Sequence, residues 1–122
     1  MAGLTNAESV ATLDARFPTS GATDQIAYST NGTSEAAIVA RTAIGAAGWA
    51  AATDADPSVK ANGTALTSAA ASGSGTITHF AIYTASTGGT QRTDWTALSA
   101  SRAVVAGDQL TWAVGAVAVT LT

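Results

Sequence analysis

The side chain with the widest chemical range in this sequence is His79, the only histidine among 122 residues. A histidine that acts as a general acid or base needs a nucleophile or a carboxylate beside it in a cleft. His79 lies instead within an alternating segment, which predicts a strand residue held by neighbouring threonine hydroxyls or by backbone. One histidine and no cysteine also exclude two-histidine and thiolate zinc sites. We predict no catalytic residue, no metal ligand, no cofactor and no enzymatic activity.

Three further patterns resemble functional sites but are better explained as turns. They are the acidic segment Asp54-Ala55-Asp56-Pro57, the segment Gly73-Ser74-Gly75, and two Asn-Gly-Thr triplets that begin at Asn31 and Asn62. The acidic segment lacks the series of oxygen ligands, ending in glutamate, of a calcium-binding loop. The serine lacks the Gly-x-Ser-x-Gly spacing of a nucleophile elbow. The triplets match a glycosylation acceptor, but no export signal is expected at the N-terminus, so Asn-Gly is interpreted as a turn.

The large aromatic side chains allow two interpretations, a flat platform for sugar rings or the filling of a core. They are Trp49, Trp95, Trp112, Tyr28 and Tyr83. Because Trp112 alternates with Leu110 and Val114, we expect its side chain to point inward. Leu, Ile, Val and Phe make up only about 17% of the chain, so indole rings are needed to fill volume. Packing is the favoured interpretation, and a carbohydrate-binding module stays open as an alternative.

Alanine, threonine, glycine and serine dominate the composition, with 30, 20, 12 and 11 copies. The length suits one domain, and a net charge of only −3 favours an ordered chain over a disordered one. The five basic residues are scattered, so no nucleic-acid partner is expected. No apolar run is long enough for a membrane helix, so no membrane partner is expected. Weakly charged alanine and threonine faces favour burial against other copies of the chain, although an alanine-biased genome explains the composition too.

One helix is predicted, from Thr5 to Phe17. Thr5 can cap its first turn, with Glu8 three residues later, and a proline directly after Phe17 ends it. Its apolar side chains lie on one face and form a candidate docking face. They are Val10, Leu13 and Phe17. Since a one-sided helix must pack against something, we expect this face to bind either the rest of the chain or a partner.

From residue 25 onward the pattern has period two and frequent glycine, asparagine and serine, which predicts an all-β domain. The predicted strands are Gln25–Ser29, Ala36–Ile44, Gly48–Thr53, Thr64–Ala70, Thr76–Thr84, Thr90–Leu98, Ser101–Val105, Gln109–Val114 and Ala116–Leu121. Many short strands at this spacing are typical of an antiparallel, jelly-roll-like β-sandwich. We therefore divide the chain into an N-terminal helix and linker, residues 1–24, and a sandwich domain, residues 25–122.

The C-terminal part contains an ordered series of motifs, which is more informative about the protein family than the amino-acid composition is. Its segments are, in order, Ile77–Thr90, Trp95–Leu98, Val105–Leu110 and Ala118–Leu121. This series resembles a family of small tailed-bacteriophage virion proteins, in which a strand leads to a Gly-Gly turn and a Gly-Asp hairpin precedes a terminal apolar strand. Upstream, Glu35 and the segment Ala40-Arg41-Thr42 resemble the family's acidic residue followed by a strand that ends in arginine.

The resemblance implies a structural, non-enzymatic part of the virion surface, assembled in the host cytoplasm. We expect first a capsid decoration protein that binds and stabilises the outer surface of the major capsid protein. A chain of one sandwich lacks the heptads or repeats of a long fibre. The alternative is a minor tail or tail-fibre component bound to tail proteins. Both roles predict a homo-oligomer.

Overall fold

A computed structural model describes residues 5–17, 23–45, 49–53 and 58–121. Those ranges contain one helix and eight strands. The helix is α1, Asn6–Arg16, and the strands are β1, Gln25–Ser29; β2, Thr42–Ala43; β3, Ser58–Ala61; β4, Leu66–Thr67; β5, Gly75–Tyr83; β6, Thr96–Val104; β7, Thr111–Trp112; and β8, Ala118–Leu121. The strand pairs with a described register are all antiparallel. The predicted class, all-β with one short N-terminal helix, is confirmed, and its antiparallel sheets are the kind from which a β-sandwich is built.

The helix forms as its capping residues predict. The Thr5 hydroxyl accepts a hydrogen bond from the Glu8 amide over 3.2 Å, which satisfies one of the free amides of the first turn. At the other end, the Phe17 amide donates to the Leu13 carbonyl over 2.8 Å. The predicted terminator, Pro18, lies outside the described residues.

The largest sheet has four strands in the order β2-β1-β5-β6. β1 pairs with β5 along its whole length, from Gln25 opposite Tyr83 to Ser29 opposite His79. Ile26 and Ala27, whose side chains point to opposite faces of the strand, have no exposed surface, so both faces of β1 are covered. Alternation alone predicted the ends of β1 correctly and those of β5 to within one residue.

β6 combines two segments that the sequence predicts as separate strands. It pairs with β5 at two places, with a shift in register between Ile77 and His79. Ile77 pairs with Arg102, and His79, two residues later on β5, pairs with Ala97. The matching segment of β6 is therefore longer than that of β5, so β6 bulges. An irregularity of this kind lets one strand bend without leaving its sheet. The predicted break before Ser101 is therefore a bulge within one strand.

The largest departures from the predicted strands are at β2 and in the two small sheets. β3 pairs with β8, from Ser58 opposite Leu121 to Ala61 opposite Ala118, and the sequence does not predict β3. β4 pairs with β7. The predicted strand Ala36–Ile44 is wrong over most of its length, because only β2 is extended. The Ile38 carbonyl accepts from the Ser72 amide in a loop contact rather than from a neighbouring strand.

The inward alternation predicted through Leu110, Trp112 and Val114 fails at Val114. Leu110 is buried, Trp112 is half-buried, and 64% of Val114 is exposed. β7 ends at Trp112, and the chain then turns at Gly115, whose φ of +81° suits glycine. The alternation therefore stops before Val114.

The residues group into two compact units, each made of separate chain segments. The helix unit contains the described residues within 1–22, 44–65 and 112–122, and the sheet unit contains residues 23–43 and 66–111. The predicted division into residues 1–24 and a sandwich domain of residues 25–122 stays a prediction. Among the described residues, no helix is long and apolar enough to span a membrane.

Candidate functional site

The contacts of His79 are those of a residue that holds the fold. Its Nδ1 lies 2.8 Å from the Thr78 hydroxyl, and the ring is half-buried beside Gly32. A Cβ on Gly32 would lie 2.9 Å from the imidazole, and Gly32 has a φ of +77°, so only glycine fits this turn against the ring. The prediction of a strand histidine held by a threonine hydroxyl is confirmed.

The candidate docking face on α1 is largely covered by the chain itself. Leu13 and Phe17 are buried, and Val10 is half-buried. The Phe17 ring meets the Trp49 ring edge to face, with centroids 5.3 Å apart. Aromatic pairs in this arrangement stabilise a core beyond the area that they bury. A role for this face in binding a particle stays a prediction.

A buried lysine lies in the same helix unit. The Lys60 side chain has no exposed surface, and its ammonium donates to Asp14 Oδ1 on α1 over 2.7 Å. The Ala52 amide donates to the same oxygen over 3.0 Å. The Lys60 hydrogen bond and then the Ala52 amide lower the pKa of the Asp14 carboxyl below its usual value. This ion pair joins β3 to α1 and has a structural role.

The structure separates the five aromatic residues into different environments. Trp49 and Tyr28 are buried, and the Tyr28 hydroxyl bonds the Thr42 hydroxyl, so the packing interpretation holds for these two. Tyr83 and Trp95 are half-buried in the sheet unit and meet each other, with centroids 6.2 Å apart and planes at 51°. A single flat platform of all five rings does not form.

Arg41 organises the surroundings of this aromatic pair. Its guanidinium donates to both Glu35 oxygens, each over 2.8 Å, in the two-pronged geometry that suits arginine. Only 7% of the Arg41 side chain is exposed. The hydrogen bonds from Arg41 to Glu35 raise the pKa of the guanidinium above its usual value, so the side chain stays charged.

The remaining bonds of Arg41 hold a loop. Nη1 donates to the Ala85 carbonyl over 2.8 Å and to the Gly88 carbonyl over 2.7 Å. The guanidinium carbon lies 4.0 Å from the centroid of the Tyr83 ring, which is a cation–π contact. One side chain thus fixes both the loop after β5 and the last residue of that strand.

The loop itself, residues 84–90, has a closed conformation. The Thr84 amide donates to the Thr90 carbonyl over 3.1 Å, and the Thr90 amide donates to the Thr84 hydroxyl over 2.9 Å. Gly89 has a φ of +71°, and a Cβ there would lie 2.6 Å from the Thr84 hydroxyl oxygen. The predicted turn at Gly88-Gly89 is confirmed, and glycine is required at its second position.

Polar side chains continue the site beyond the rings. The Tyr83 hydroxyl donates to Gln91 Oε1 over 3.2 Å, and Gln91 Nε2 donates to the Thr93 carbonyl over 2.8 Å. Gln91 is exposed. We call Tyr83, Gln91 and Trp95 the Tyr83 cluster. It combines two aromatic rings with an amide, and Arg41 contacts the Tyr83 ring.

Sequence reasoning identified Glu35 and Arg41 only as part of a resemblance, and it missed their pairing. The available signal was an acidic residue six positions before an arginine in a chain with few charges. The predicted acidic turn at Asp54 and Asp56 lies outside the described residues. In the part of the chain that the structure describes, no three histidine, aspartate or glutamate side chains are grouped to hold a metal ion.

A comparison with protein families decides the relationship. The family model described as "Podophage GP4 fiber I protein gp80" matches residues 3–120. The chain belongs to this family. The resemblance to tailed-phage virion proteins is confirmed, and it extends over nearly the whole chain rather than the C-terminal part alone. No curated protein matches the chain.

In this member of the podophage fibre family, the motifs that resemble phage virion proteins form strands and turns. Ile77–Thr90 forms most of β5 and the loop held by Arg41. The Gly107-Asp108 turn is closed by the Val105 amide, which donates to Asp108 Oδ2 over 2.9 Å. These motifs build turns and strands, and the family is one of structural virion proteins.

Proposed function

We propose that this protein is a structural component of a fibre of a tailed phage, the role that the sequence offered as its alternative. The observation that carries the proposal is the match of a podophage fibre family over residues 3–120. The capsid decoration role predicted first has no comparable support. The fibre role is also consistent with an antiparallel β architecture and with glycine turns that fix exposed loops.

We propose further that the protein is non-enzymatic and works in contact with other copies of itself and with tail proteins. The exposed strand β6 supports this part of the proposal. It lies at an edge of the four-stranded sheet, and it has one charged side chain, Arg102, in nine residues. A long edge strand with few charges is suited to pairing with another chain.

The position and copy number of the protein in purified virions test the fibre role. Gold-labelled antibodies should mark fibres rather than the whole head surface. Quantitative mass spectrometry against the major capsid protein should give the low copy number set by the symmetry of a tail. Label spread over the capsid, with hundreds of copies per particle, would instead establish the decoration role.

A further inference from the structure

We propose that the Tyr83 cluster is a binding site for a neutral saccharide. The proposal rests on the proposed function, because it names the ligand class of a virion fibre protein. Four features of the described residues carry it: a pair of half-buried aromatic rings, polar groups beside them, a rigid support, and a charge balance that does not suit anionic ligands.

The aromatic pair supplies the apolar part of the site. A sugar ring presents one face of C–H groups, which packs against aromatic carbon, and its hydroxyls lie around the edge. Tyr83 and Trp95 are in contact, with ring centroids 6.2 Å apart, and neither is fully buried. Tyrosine and tryptophan suit such a site because each combines a large apolar surface with one polar group.

The polar groups beside the rings suit hydroxyl ligands. Gln91 uses one N–H and one oxygen lone pair in its bonds to Thr93 and Tyr83. Its amide therefore retains a donor and an acceptor, held in a fixed orientation. Binding sites for small ligands typically combine an apolar surface with a few positioned polar groups of this kind.

The site is supported by contacts within the chain. Arg41 contacts the Tyr83 ring and bonds two loop carbonyls, at Ala85 and Gly88. The Ile82 amide, next to Tyr83, donates to the Thr93 hydroxyl over 3.0 Å. A ligand that binds a preformed surface spends less of its binding free energy on ordering the protein.

The charge balance favours a saccharide over a phosphate, a nucleic acid or an acidic peptide. The guanidinium of Arg41, which contacts the Tyr83 ring, is used by Glu35 and the loop carbonyls. Arg92, next to Gln91 in the chain, is paired with Asp24. An anionic ligand would meet two arginines that are already paired.

Binding is tested with the full chain on a microarray of bacterial glycans. The strongest oligosaccharide on the array is then titrated by saturation-transfer NMR. We expect saturation transfer from aromatic protons to the sugar C–H groups. A folded wild-type protein that binds no glycan on the array overturns the proposal.

Two variants locate the site. Trp95→Ala should abolish binding, and Gln91→Ala should weaken it about tenfold, as the loss of one ligand hydrogen bond predicts. Trp112→Ala is the matched control, because Trp112 is also half-buried, and it should leave the affinity unchanged. Gln91 is exposed, so its variant keeps the test decisive if Trp95→Ala fails to fold. Equal binding by Gln91→Ala and wild type, or a loss caused by Trp112→Ala in a folded protein, overturns the assignment.

The failure of this proposal is distinguishable from the failure of the fibre role. Antibody label on fibres without glycan binding overturns the saccharide site alone. Glycan binding by a protein found over the capsid surface overturns the fibre role and leaves the site in place.

Discussion

Two of the three described ion pairs, Lys60–Asp14 in the helix unit and Arg41–Glu35 in the sheet unit, use charge in different ways. In the helix unit, Lys60 has no exposed side-chain surface, and it donates to one carboxylate oxygen. In the sheet unit, Arg41 is 7% exposed and makes four hydrogen bonds and a ring contact. Lys60 has a single described carboxylate partner. Arg41 instead contacts a strand residue, two loop carbonyls and a carboxylate.

The difference follows from the chemistry of the two side chains. An ammonium is a compact point charge, whereas a guanidinium offers five N–H groups in a fixed plane. Lysine therefore connects one position on β3 to one on α1. Arginine connects several backbone groups at once, which suits the ordering of an exposed loop. We infer that Lys60–Asp14 mainly stabilises its unit, whereas Arg41 mainly fixes the conformation of an exposed loop.

The largest expected effect is the loss of Trp49 in the helix unit. Trp49 is 2% exposed and packs against Phe17. Trp49→Ala should lower the free energy of unfolding by about 3–5 kcal/mol, because it leaves a large cavity in a small core. Urea denaturation followed by circular dichroism measures this.

The control for that change is Trp112→Ala. Trp112 is half-buried, so its loss should lower the free energy of unfolding by about 1–2 kcal/mol. Equal effects of the two substitutions would contradict the assignment of Trp49, rather than Trp112, to the core.

The second effect concerns the lysine pair. Asp14→Ala removes the carboxylate that Lys60 bonds and should lower the free energy of unfolding by about 1–3 kcal/mol. Lys60→Met removes the buried charge and keeps an apolar stem of similar volume, so its cost should be smaller, under about 1.5 kcal/mol.

A double-mutant cycle completes this comparison. The variant with both changes should be more stable than Asp14→Ala alone, because no unpaired ammonium is left in the interior. Simple addition of the two single effects would show that the pair is not coupled.

These buried partners explain which elements the sequence could and could not predict. α1, β1 and β5 carry local signals, a capping threonine or an alternating run, and their ends were predicted closely. β3 was missed because it is short, contains a lysine, and pairs with β8 at the far end of the chain. Lys60 is suited to a buried position only because Asp14 lies opposite, and that proximity is tertiary.

The candidate site shows the same limit. Gly88-Gly89 predicted its turn, and the aromatic residues raised the possibility of a sugar platform. The choice of Tyr83 and Trp95 as the pair in contact depends on the end of β5 meeting the start of β6. The anchors of Arg41 include two backbone carbonyls, which have no signature in residue type. Local chemistry was predictable, and the partners brought together by folding were not.

The third effect tests whether Arg41 shapes the loop more than it stabilises the unit. Arg41→Lys keeps the charge but loses the planar set of donors, so it should lower the free energy of unfolding by only about 1 kcal/mol. Hydrogen exchange of peptides covering residues 84–90 should nevertheless rise clearly, since the bonds to Ala85 and Gly88 are weakened. Arg102→Lys on the exposed strand β6 is the matched control and should change neither quantity. Unchanged exchange in Arg41→Lys would show that the loop is ordered without the arginine.

The smallest expected effect is a pH dependence of the lysine pair. The pKa of Asp14 is lowered in the folded protein, chiefly by its hydrogen bond to Lys60. Its contribution to stability is therefore complete above the unfolded-state pKa of about 3.9 and is lost as the pH falls through the lower folded-state value.

The variant Asp14→Asn tests this, because asparagine has a similar shape and does not titrate. Thermal melting between neutral and strongly acidic pH should show wild type more stable than Asp14→Asn at neutral pH, with the difference shrinking toward zero in acid. Because 39% of the Asp14 side chain is exposed, added salt should reduce the neutral-pH difference. A difference that stays constant down to strongly acidic pH would mean that the carboxylate charge contributes nothing, and that the pair acts only through its hydrogen-bond geometry.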